Sequence, residues 1–301
     1  MSLSNPRQAA RSSTTSGFLA LLFGAAAIGL APIFVRLSEL GPYATAFWRI
    51  LLSQPVLWAL VYRETGKRAT RPRPKKQVLS LLGAGAIFGI EICVWHTSVW
   101  HTTVANSTLL CNLAPVFVVL LARALYGQRT TATFHVGLAV ALVGAAMLGG
   151  ASFQVSRRYV VGDSLALVSA FLYAVYLMSV NRLRASHSSA VFMAWSGVSA
   201  TCLLLPISWA AGEDLFAVTE EGWLVLVGLA LICHVAGQGL ITFGLGRLSA
   251  TVSSVVLLFQ PVVAAALAWW IFEEAMGALQ GLGSLLVLAG ISGARRAGST
   301  D

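Results

Sequence analysis

The stretch ANSTLLCNLAPVFVVL, residues 105–120, has a counterpart in TVSSVVLLFQPVVAAA, residues 251–266. The two stretches are 146 residues apart, and the same shift superposes residues along both halves of the chain. The coinciding pairs are Pro115 with Pro261, Ser107 with Ser253, Gly137 with Gly283, Gly144 with Gly290, and Arg36-Leu37 with Arg182-Leu183. Weak internal similarity at one constant offset indicates a duplication, so we expect two related units.

Long apolar runs make up most of each unit. The chain has 301 residues, of which 57% are apolar and 10% charged, whereas soluble domains carry about 25% charged residues. A transmembrane helix needs about 20 apolar residues. Ten such runs lie near residues 17–36, 43–63, 77–98, 103–123, 132–150, 162–183, 190–211, 221–244, 250–272 and 277–295. Because lipid leaves backbone amides without partners, these runs must be helical, which predicts an all-α integral membrane protein.

The duplicated unit contains five predicted spans. Five is an odd number, so the second copy must enter the membrane in the opposite sense. The predicted organisation is a tail at 1–16, a five-helix repeat at 17–150, a linker at 151–161, an inverted five-helix repeat at 162–296 and a tail at 297–301. Inverted repeats are typical of secondary transporters, which alternate access to a site near the midplane. The duplication therefore favours a carrier of small solutes.

The Lys and Arg residues are distributed unequally between the two sides of the membrane. Of the 20, sixteen lie on the side of the termini, Arg49 lies within a span, and three lie on the opposite side: Arg36, Arg157 and Arg158. Basic residues stay in the cytoplasm, so both termini are expected there and the chain in the cell (inner) membrane. The net charge of +9 resides in short loops rather than on a basic domain, which argues against a nucleic-acid partner.

The segment from Ala105 through Pro115 to Gly137 and Gly144, with its echo from Thr251 through Pro261 to Gly283 and Gly290, resembles the EamA repeat. Two such repeats are found in the ten-helix exporters of the drug/metabolite transporter superfamily. The acid usual in that family is present as Glu274, whereas the first copy has Gln128. The run from Ala105 to Pro115 is most similar to bacterial aromatic amino-acid exporters. The resemblance implies export of aromatic or other neutral amino acids, with other metabolites or drugs as alternatives.

Two charged residues lie inside predicted spans, Arg49 in the second and Glu91 in the third. Each is about six or seven residues from the outer end of its span, which is roughly 9–10 Å below the surface. A charge near a helix centre costs roughly 2.5–3.5 kcal/mol on insertion, so each needs a reason. Equal depth permits a salt bridge between the two helices. The alternative is a charged solute pathway, in which Arg49 binds a carboxylate and Glu91 an amine or a proton.

Uncharged polar residues also recur inside the spans. Together they are candidates for one water-accessible, substrate-binding cavity: Thr108, Asn112, Ser169, Tyr173, Tyr176, His234, Gln238 and Gln260. His234 and Gln238 are one helical turn apart and are therefore expected to share a helix face. Taken singly, each of these residues is better explained by an interhelical hydrogen bond, worth about 0.6 kcal/mol in membranes.

Proline occurs within five of the spans, at Pro32, Pro55, Pro115, Pro206 and Pro261. Pro115 and Pro261 are equivalent in the two repeats, so both are predicted to kink or hinge the helices that gate the pathway, although a static kink is the alternative. The Trp- and His-rich run at residues 94–102 is predicted to be an interfacial aromatic anchor. The four cysteines lie in apolar runs and are predicted to be small packing residues.

The leading interpretation is a secondary transporter that needs no cofactor and no metal. The chain lacks a GxxxxGK[ST] phosphate-binding loop, so ATP is not expected to drive it directly. The runner-up is a membrane-embedded enzyme acting on lipid or isoprenoid substrates, but Glu91 is the only acid deep in a span. A channel is a third interpretation, although an inverted duplication fits alternating access better. Monomer and dimer are both compatible with the sequence.

Overall fold

A computed structural model describes residues 6–65, 75–102, 104–149, 156–272 and 277–298. Within these residues, ten helical segments are long and apolar enough to cross a membrane. They are Thr14–Leu37, Pro42–Glu64, Lys75–Val99, Asn106–Tyr126, Ala132–Gly149, Arg157–Leu183, Ser189–Ala210, Glu220–Leu245, Ala250–Leu267 and Ala278–Ala297, called spans 1 to 10. The prediction of a ten-helix membrane protein is confirmed. Because ten is even, span 1 begins and span 10 ends on the same side of the bundle. That side is called the terminus face, and the opposite side is called the far face.

Four spans consist of two helices separated by a short turn. They are span 1 (Pro6–Gly29 and Ala31–Leu37), span 2 (Pro42–Leu51 and Gln54–Thr65), span 4 (Val104–Cys111 and Ala114–Tyr126) and span 9 (Ala250–Val256 and Phe259–Phe272). In each case a proline lies within the first turn of the second helix. Proline is tolerated there because the N–H groups of the first turn have no hydrogen-bond partner within the helix. Both repeat-related prolines, Pro115 and Pro261, therefore mark a break in the helix.

The remaining helices are continuous or change only their winding. They are Lys75–His101 (span 3), Ala132–Gly149 (span 5), Arg157–Tyr159 with Val160–Leu183 (span 6), Ser189–Ala210 (span 7) and Ala278–Gly298 (span 10). Span 8 is helical over Glu220–Gly228, π-helical over Leu229–Gln238, and α-helical again over Gly239–Leu245. Pro206 lies inside the uninterrupted helix of span 7, so it differs from the other four prolines within spans.

Spans 5 and 10 pack backbone against backbone through the duplicated glycines. A Cβ atom on Gly144 would lie 2.5 Å from the Gly283 oxygen, and one on Gly290 would lie 2.5 Å from the Gly137 oxygen. Only glycine permits such close approach. The start of span 5 thus meets the end of span 10, so these equivalent helices run antiparallel. This is the arrangement that an inverted repeat requires.

Other contacts between the two repeats show the same symmetry: when two residues are in contact, the two residues equivalent to them under the shift of 146 are in contact as well. Thr102 Oγ1 donates a hydrogen bond to Asp163 Oδ1 at 2.6 Å. The mirror positions, Leu248 and Gly17, are also in contact, since a Cβ on Gly17 would lie 3.5 Å from Leu248 Cγ. Phe88 and His234 coincide under the shift of 146, and their ring centroids are 6.1 Å apart. The two repeats are therefore interleaved around a pseudo-twofold axis that passes near these two rings.

Two acidic side chains join the loops at the far face. Glu213 accepts hydrogen bonds from the backbone N–H groups of Tyr43 and Ala44 at the start of span 2, the latter at 2.7 Å. Glu39 accepts bonds from the backbone N–H of Val218 at 2.9 Å and from both the backbone and hydroxyl of Thr219 at the start of span 8. The bond from the Thr219 hydroxyl, with the two backbone bonds, holds the pKa of Glu39 below its ordinary value.

A candidate solute-binding cavity

A cavity of about 210 Å³ lies in the half of the bundle toward the far face. Its volume corresponds to about seven water molecules, which suits a small metabolite. Val35 and Thr45, near the far-face ends of spans 1 and 2, line its outer part. Phe88, Tyr173 and Gln238 line its deep end, near the middle of spans 3, 6 and 8. The cavity therefore reaches from the far face to mid-membrane.

Arg49 lies on the cavity wall, in the first helix of span 2. It is seven residues after Pro42, about 10 Å along the helix, and it precedes the break at Leu52 and Ser53. Its Nε atom is buried and has no hydrogen-bond partner. A guanidinium presents donors in a planar fork that matches a carboxylate. Arg49 thus carries an unused donor at a depth where charges are costly.

Glu91 lies on the same wall, in span 3, and is held by a neighbour from the second repeat. Ser169 Oγ donates a hydrogen bond to Glu91 Oε1 at 2.8 Å. Within the described residues, the structure contains no salt bridge that joins Glu91 to Arg49. The salt bridge that equal depth permitted is therefore not formed, and the two opposite charges line one cavity separately.

Aromatic rings form the deep end of the cavity. Tyr176 is buried and stacks on Phe88 with centroids 4.7 Å apart, while Tyr173 is 6.2 Å from Tyr176. The amide of Gln238 donates to the Tyr176 hydroxyl at 3.2 Å. These contacts fix the orientation of the polar groups at the floor, because each ring restricts the next.

Span 8 departs from the expected geometry. The residues Leu229–Gln238 are π-helical rather than α-helical. Gln238 lines the cavity, whereas His234 is buried against Phe88 and is absent from the lining. Of the two side chains, only Gln238 lies in the lining of this cavity, and a role of His234 in binding solute stays a prediction. A π-helical segment inside an α-helix is frequent at functional sites.

The predicted site residues fall into two groups. Those that line the cavity are Arg49, Glu91, Thr108, Asn112, Tyr173, Gln238, Gln260 and Pro261. Ser169, Tyr176 and His234 form a layer behind it and contact Glu91, Gln238 and Phe88 respectively. Pro115 is buried and absent from the lining. Glu274, the acid that the family resemblance singles out, lies outside the described residues.

Two lining residues were assigned another role from the sequence. Trp95 and His96 were expected to anchor the interface, but the helix of span 3 continues to His101 and turns both toward the cavity. His96 is buried, and its Nδ1 atom has no partner. Their spacing from Glu91 was the available signal, because Trp95 is four residues on and therefore on the same helix face. Throughout the described ranges, no group of three or more His, Cys, Asp or Glu side chains could hold a metal ion.

A cavity that ends in mid-membrane, carries charged groups on a largely apolar wall and is enclosed by two interleaved inverted repeats is the architecture of a membrane transporter. Comparison with known families agrees with this class. The EamA-like transporter family matches residues 15–150 and again residues 160–295. The chain belongs to the EamA-like transporter family, so the resemblance noted from the sequence is confirmed.

Individual relatives include exporters of amino acids. The chain is 29% identical over 225 residues to a "probable terminal-alkyne amino-acid exporter" of Streptantibioticus cattleyicolor, covering 73% of this chain and 74% of the relative. It is 27% identical over 148 residues to the aromatic amino acid exporter YddG of Ancylobacter novellus, covering 46% and 51% of the two chains. A solved structure titled only as a crystal structure of a protein matches with a TM-score of 0.80 at 19% identity, covering 96% and 98%. That likeness shows the fold alone.

Proposed function

We propose that this transporter exports neutral amino acids, aromatic ones among them, by alternating access. The main observation is that Arg49 and Glu91 line one mid-membrane cavity without pairing with each other. Two unpaired opposite charges at this depth are expensive unless a ligand with both charges binds between them. A zwitterion is such a ligand.

The two charged groups suit the two ends of an α-amino acid. Arg49 has a donor without a partner, and guanidinium–carboxylate bonds are short and directional. Glu91 keeps acceptor capacity after accepting one bond from Ser169, and it therefore suits an ammonium group. We assign the carboxylate of the solute to Arg49 and its amine to Glu91.

The uncharged lining suits the side chain of such a solute. Phe88, Trp95 and Tyr173 contribute aromatic surface, and polar groups such as Asn112 and Gln260 lie among them. Aromatic rings bind other rings by offset or edge contacts, worth about 0.5–1.5 kcal/mol beyond burial. The names of the two amino-acid exporters among the relatives support the same solute class.

The side to which the cavity opens is assigned from topology. The excess of Lys and Arg on the terminus face supports a cytoplasmic location for that face, and hence residence in the cell (inner) membrane. The cavity then opens to the outside, which is the state from which an exporter releases its solute. The breaks before Pro115 and Pro261 are the proposed hinges, because each frees backbone groups at equivalent places in the two repeats.

The test is efflux from proteoliposomes loaded with labelled phenylalanine, leucine, phenethylamine or 3-phenylpropionate. We expect phenylalanine to leave fastest and leucine more slowly. The two analogues that lack one charge should be at least about tenfold slower, since each leaves one buried charge unpaired. Equal efflux of phenylalanine and phenethylamine would contradict the role of Arg49. Efflux of none of the four, with other metabolites or drugs transported instead, would overturn the amino-acid assignment. A pH gradient across the same liposomes tests coupling to protons.

A further inference from the structure

The break in span 4 frees backbone oxygens beside the cavity. Pro115 has no N–H, so the carbonyl of Cys111, four residues earlier, lacks the donor that a continuous helix would supply. The N–H of Val116 donates to the Leu113 carbonyl at 2.9 Å instead of to the Asn112 carbonyl. Cys111 and Asn112 both line the cavity. Two carbonyl oxygens on the cavity wall are therefore left without their helical partners.

The helix before the break adds side-chain oxygens. Thr108 and Asn112 are four residues apart, so they lie on one face, and both line the cavity. Within the part of the chain that the structure describes, neither the Thr108 hydroxyl nor the Asn112 side-chain amide forms a hydrogen bond. The helix Val104–Cys111 also ends here, and the C-terminal end of a helix carries a partial negative charge. This part of the wall is therefore rich in oxygen atoms and attracts a cation.

Glu91 lies next to these oxygens. Ser169 Oγ donates to Glu91 Oε1 at 2.8 Å and is also in hydrogen-bonding contact with the Cys111 thiol. The carboxylate and the end of the helix in span 4 thus share one neighbour. Cys111 is held in this place because its Sγ donates to the Ala166 carbonyl at 3.4 Å. One carboxylate therefore stands beside several uncharged oxygens.

We propose that Glu91, Thr108 and Asn112, with the carbonyl oxygens freed at the break, form a sodium-binding site. Hard cations take oxygen ligands, and unwound carbonyls at the ends of half-helices are typical sodium ligands in transporters. One carboxylate among uncharged oxygens matches a single positive charge, whereas calcium sites usually hold several carboxylates. A carboxylate is also a ligand of high field strength, which favours the small sodium ion over potassium.

Sodium and the ammonium group of the solute exclude each other at Glu91. This consequence rests on the proposed function, which places the ammonium on the same carboxylate. Once the solute has left toward the far face, a sodium ion takes its place and neutralises the Glu91 charge. The site thus couples export of the solute to entry of sodium.

Sodium binding is tested on the purified full-length protein in detergent without any solute, so the outcome is independent of the amino-acid assignment. The Tm is measured in sodium, potassium and choline chloride at equal ionic strength. At ten times its Kd, sodium should raise the Tm by about 2–4 °C over choline, and potassium by less than about 1 °C. Equal Tm values in the three salts would overturn the proposal.

The side-chain ligands are tested by removing one oxygen without changing the shape of the residue. Thr108→Val should raise the sodium Kd, obtained by titrating the Tm, by about tenfold. Thr201→Val is the matched control, because its hydroxyl is buried in span 7 without a partner and the residue is absent from the cavity lining. It should retain the wild-type Kd. A wild-type Kd in Thr108→Val would refute the site.

The carbonyl ligand is tested by restoring the missing N–H. Pro115→Ala can donate to the Cys111 carbonyl, so the sodium Kd should rise about five- to tenfold. Pro206→Ala is the control, because Pro206 is exposed in the uninterrupted helix of span 7 and absent from the lining. Its Kd should equal that of wild type. An unchanged Kd in Pro115→Ala would show that the freed carbonyl is not a ligand, contrary to the proposal.

Arg49 provides a test in which two affinities change in opposite directions. Arg49→Gln should lower the sodium Kd by about fivefold, because a like charge leaves the same cavity, while phenylalanine binds more weakly. A general loss of structure would weaken both. An unchanged or higher sodium Kd in Arg49→Gln would place the ion outside this cavity and contradict the proposal. If sodium binds as described but phenylalanine does not raise its apparent Kd, the proposed solute is wrong and the sodium site stands.

Discussion

The two repeats share a few framework residues and differ in the charged residues of the cavity. The coinciding glycines form the tight seam between spans 5 and 10, and Pro115 and Pro261 coincide at the breaks of spans 4 and 9. The two charged residues of the cavity are not duplicated, because Arg49 and Glu91 have Trp195 and Gly237 as counterparts. The difference indicates that the duplicated glycines and prolines shape the fold, and we expect the diverged charged positions to determine what the cavity binds.

The largest effect is expected where the framework is duplicated. In Gly290→Ala the new Cβ would lie 2.5 Å from the Gly137 oxygen, and neither backbone can move away without separating spans 5 and 10. We expect a loss of about 3 kcal/mol or more, seen as aggregation in size-exclusion chromatography and a lower Tm in detergent. Gly281→Ala, in the same helix with no atom within 4 Å of the new Cβ, is the control and should behave as wild type. Similar behaviour of the two variants would disprove the backbone seam.

The next largest effect is expected at the two charged positions of the cavity, which differ between the repeats. Arg49→Gln and Glu91→Gln should each raise the KM for a zwitterionic solute by about ten- to a hundredfold, because a charge-assisted hydrogen bond is lost. Neither should lower the Tm, since each removes a charge that is costly to bury. Arg123→Gln, at an exposed position late in span 4, controls for the loss of a positive charge. Wild-type transport by Arg49→Gln would mean that the unpaired guanidinium is not part of the site.

A smaller effect is expected behind the cavity wall. Ser169→Ala removes the 2.8 Å bond to Glu91 and leaves the carboxylate free to turn. We expect the KM to rise about fivefold with little change in the maximal rate, because Glu91 keeps its charge and loses only the partner that orients it. Ser179→Ala, on the same helix, loses only a bond to the Val175 carbonyl and should leave the KM unchanged. A matching rise in both variants would point to a general effect on span 6.

The smallest effect concerns the far-face loops. Because hydrogen bonds lower the pKa of Glu39 in the folded protein, its contribution to stability is complete above its ordinary pKa of 4.5. The contribution disappears as the pH falls through the lower folded pKa. Between about pH 5 and pH 3, the Tm of wild type should therefore fall more than that of Glu39→Gln. Asp214→Asn, an exposed acid in a far-face loop, should retain the wild-type pH dependence of the Tm. If the Tm of Glu39→Gln depended on pH as the wild-type Tm does, this carboxylate would be excluded as a source of the loss of stability at low pH.

Helix number, the inverted arrangement and the two charged residues of the cavity lining could be predicted from the sequence. Apolar length and the odd number of spans per repeat determine the first two, and a buried charge such as Arg49 requires an unusual environment. Local winding could not be predicted, because the π-helical segment of span 8 has the same apolar composition as an α-helix. Trp95 and His96 were missed because their aromatic composition also suits a membrane interface.

The glycine seam has a mechanical consequence. Neither Ala132–Gly149 nor Ala278–Ala297 contributes a residue to the lining of the cavity, and their backbones touch without side chains between them. A contact of this kind has no rotamers to adjust, so sliding of one helix past the other would immediately cause clashes. We therefore expect spans 5 and 10 to keep their relative position during transport, while the eight helices beside them move.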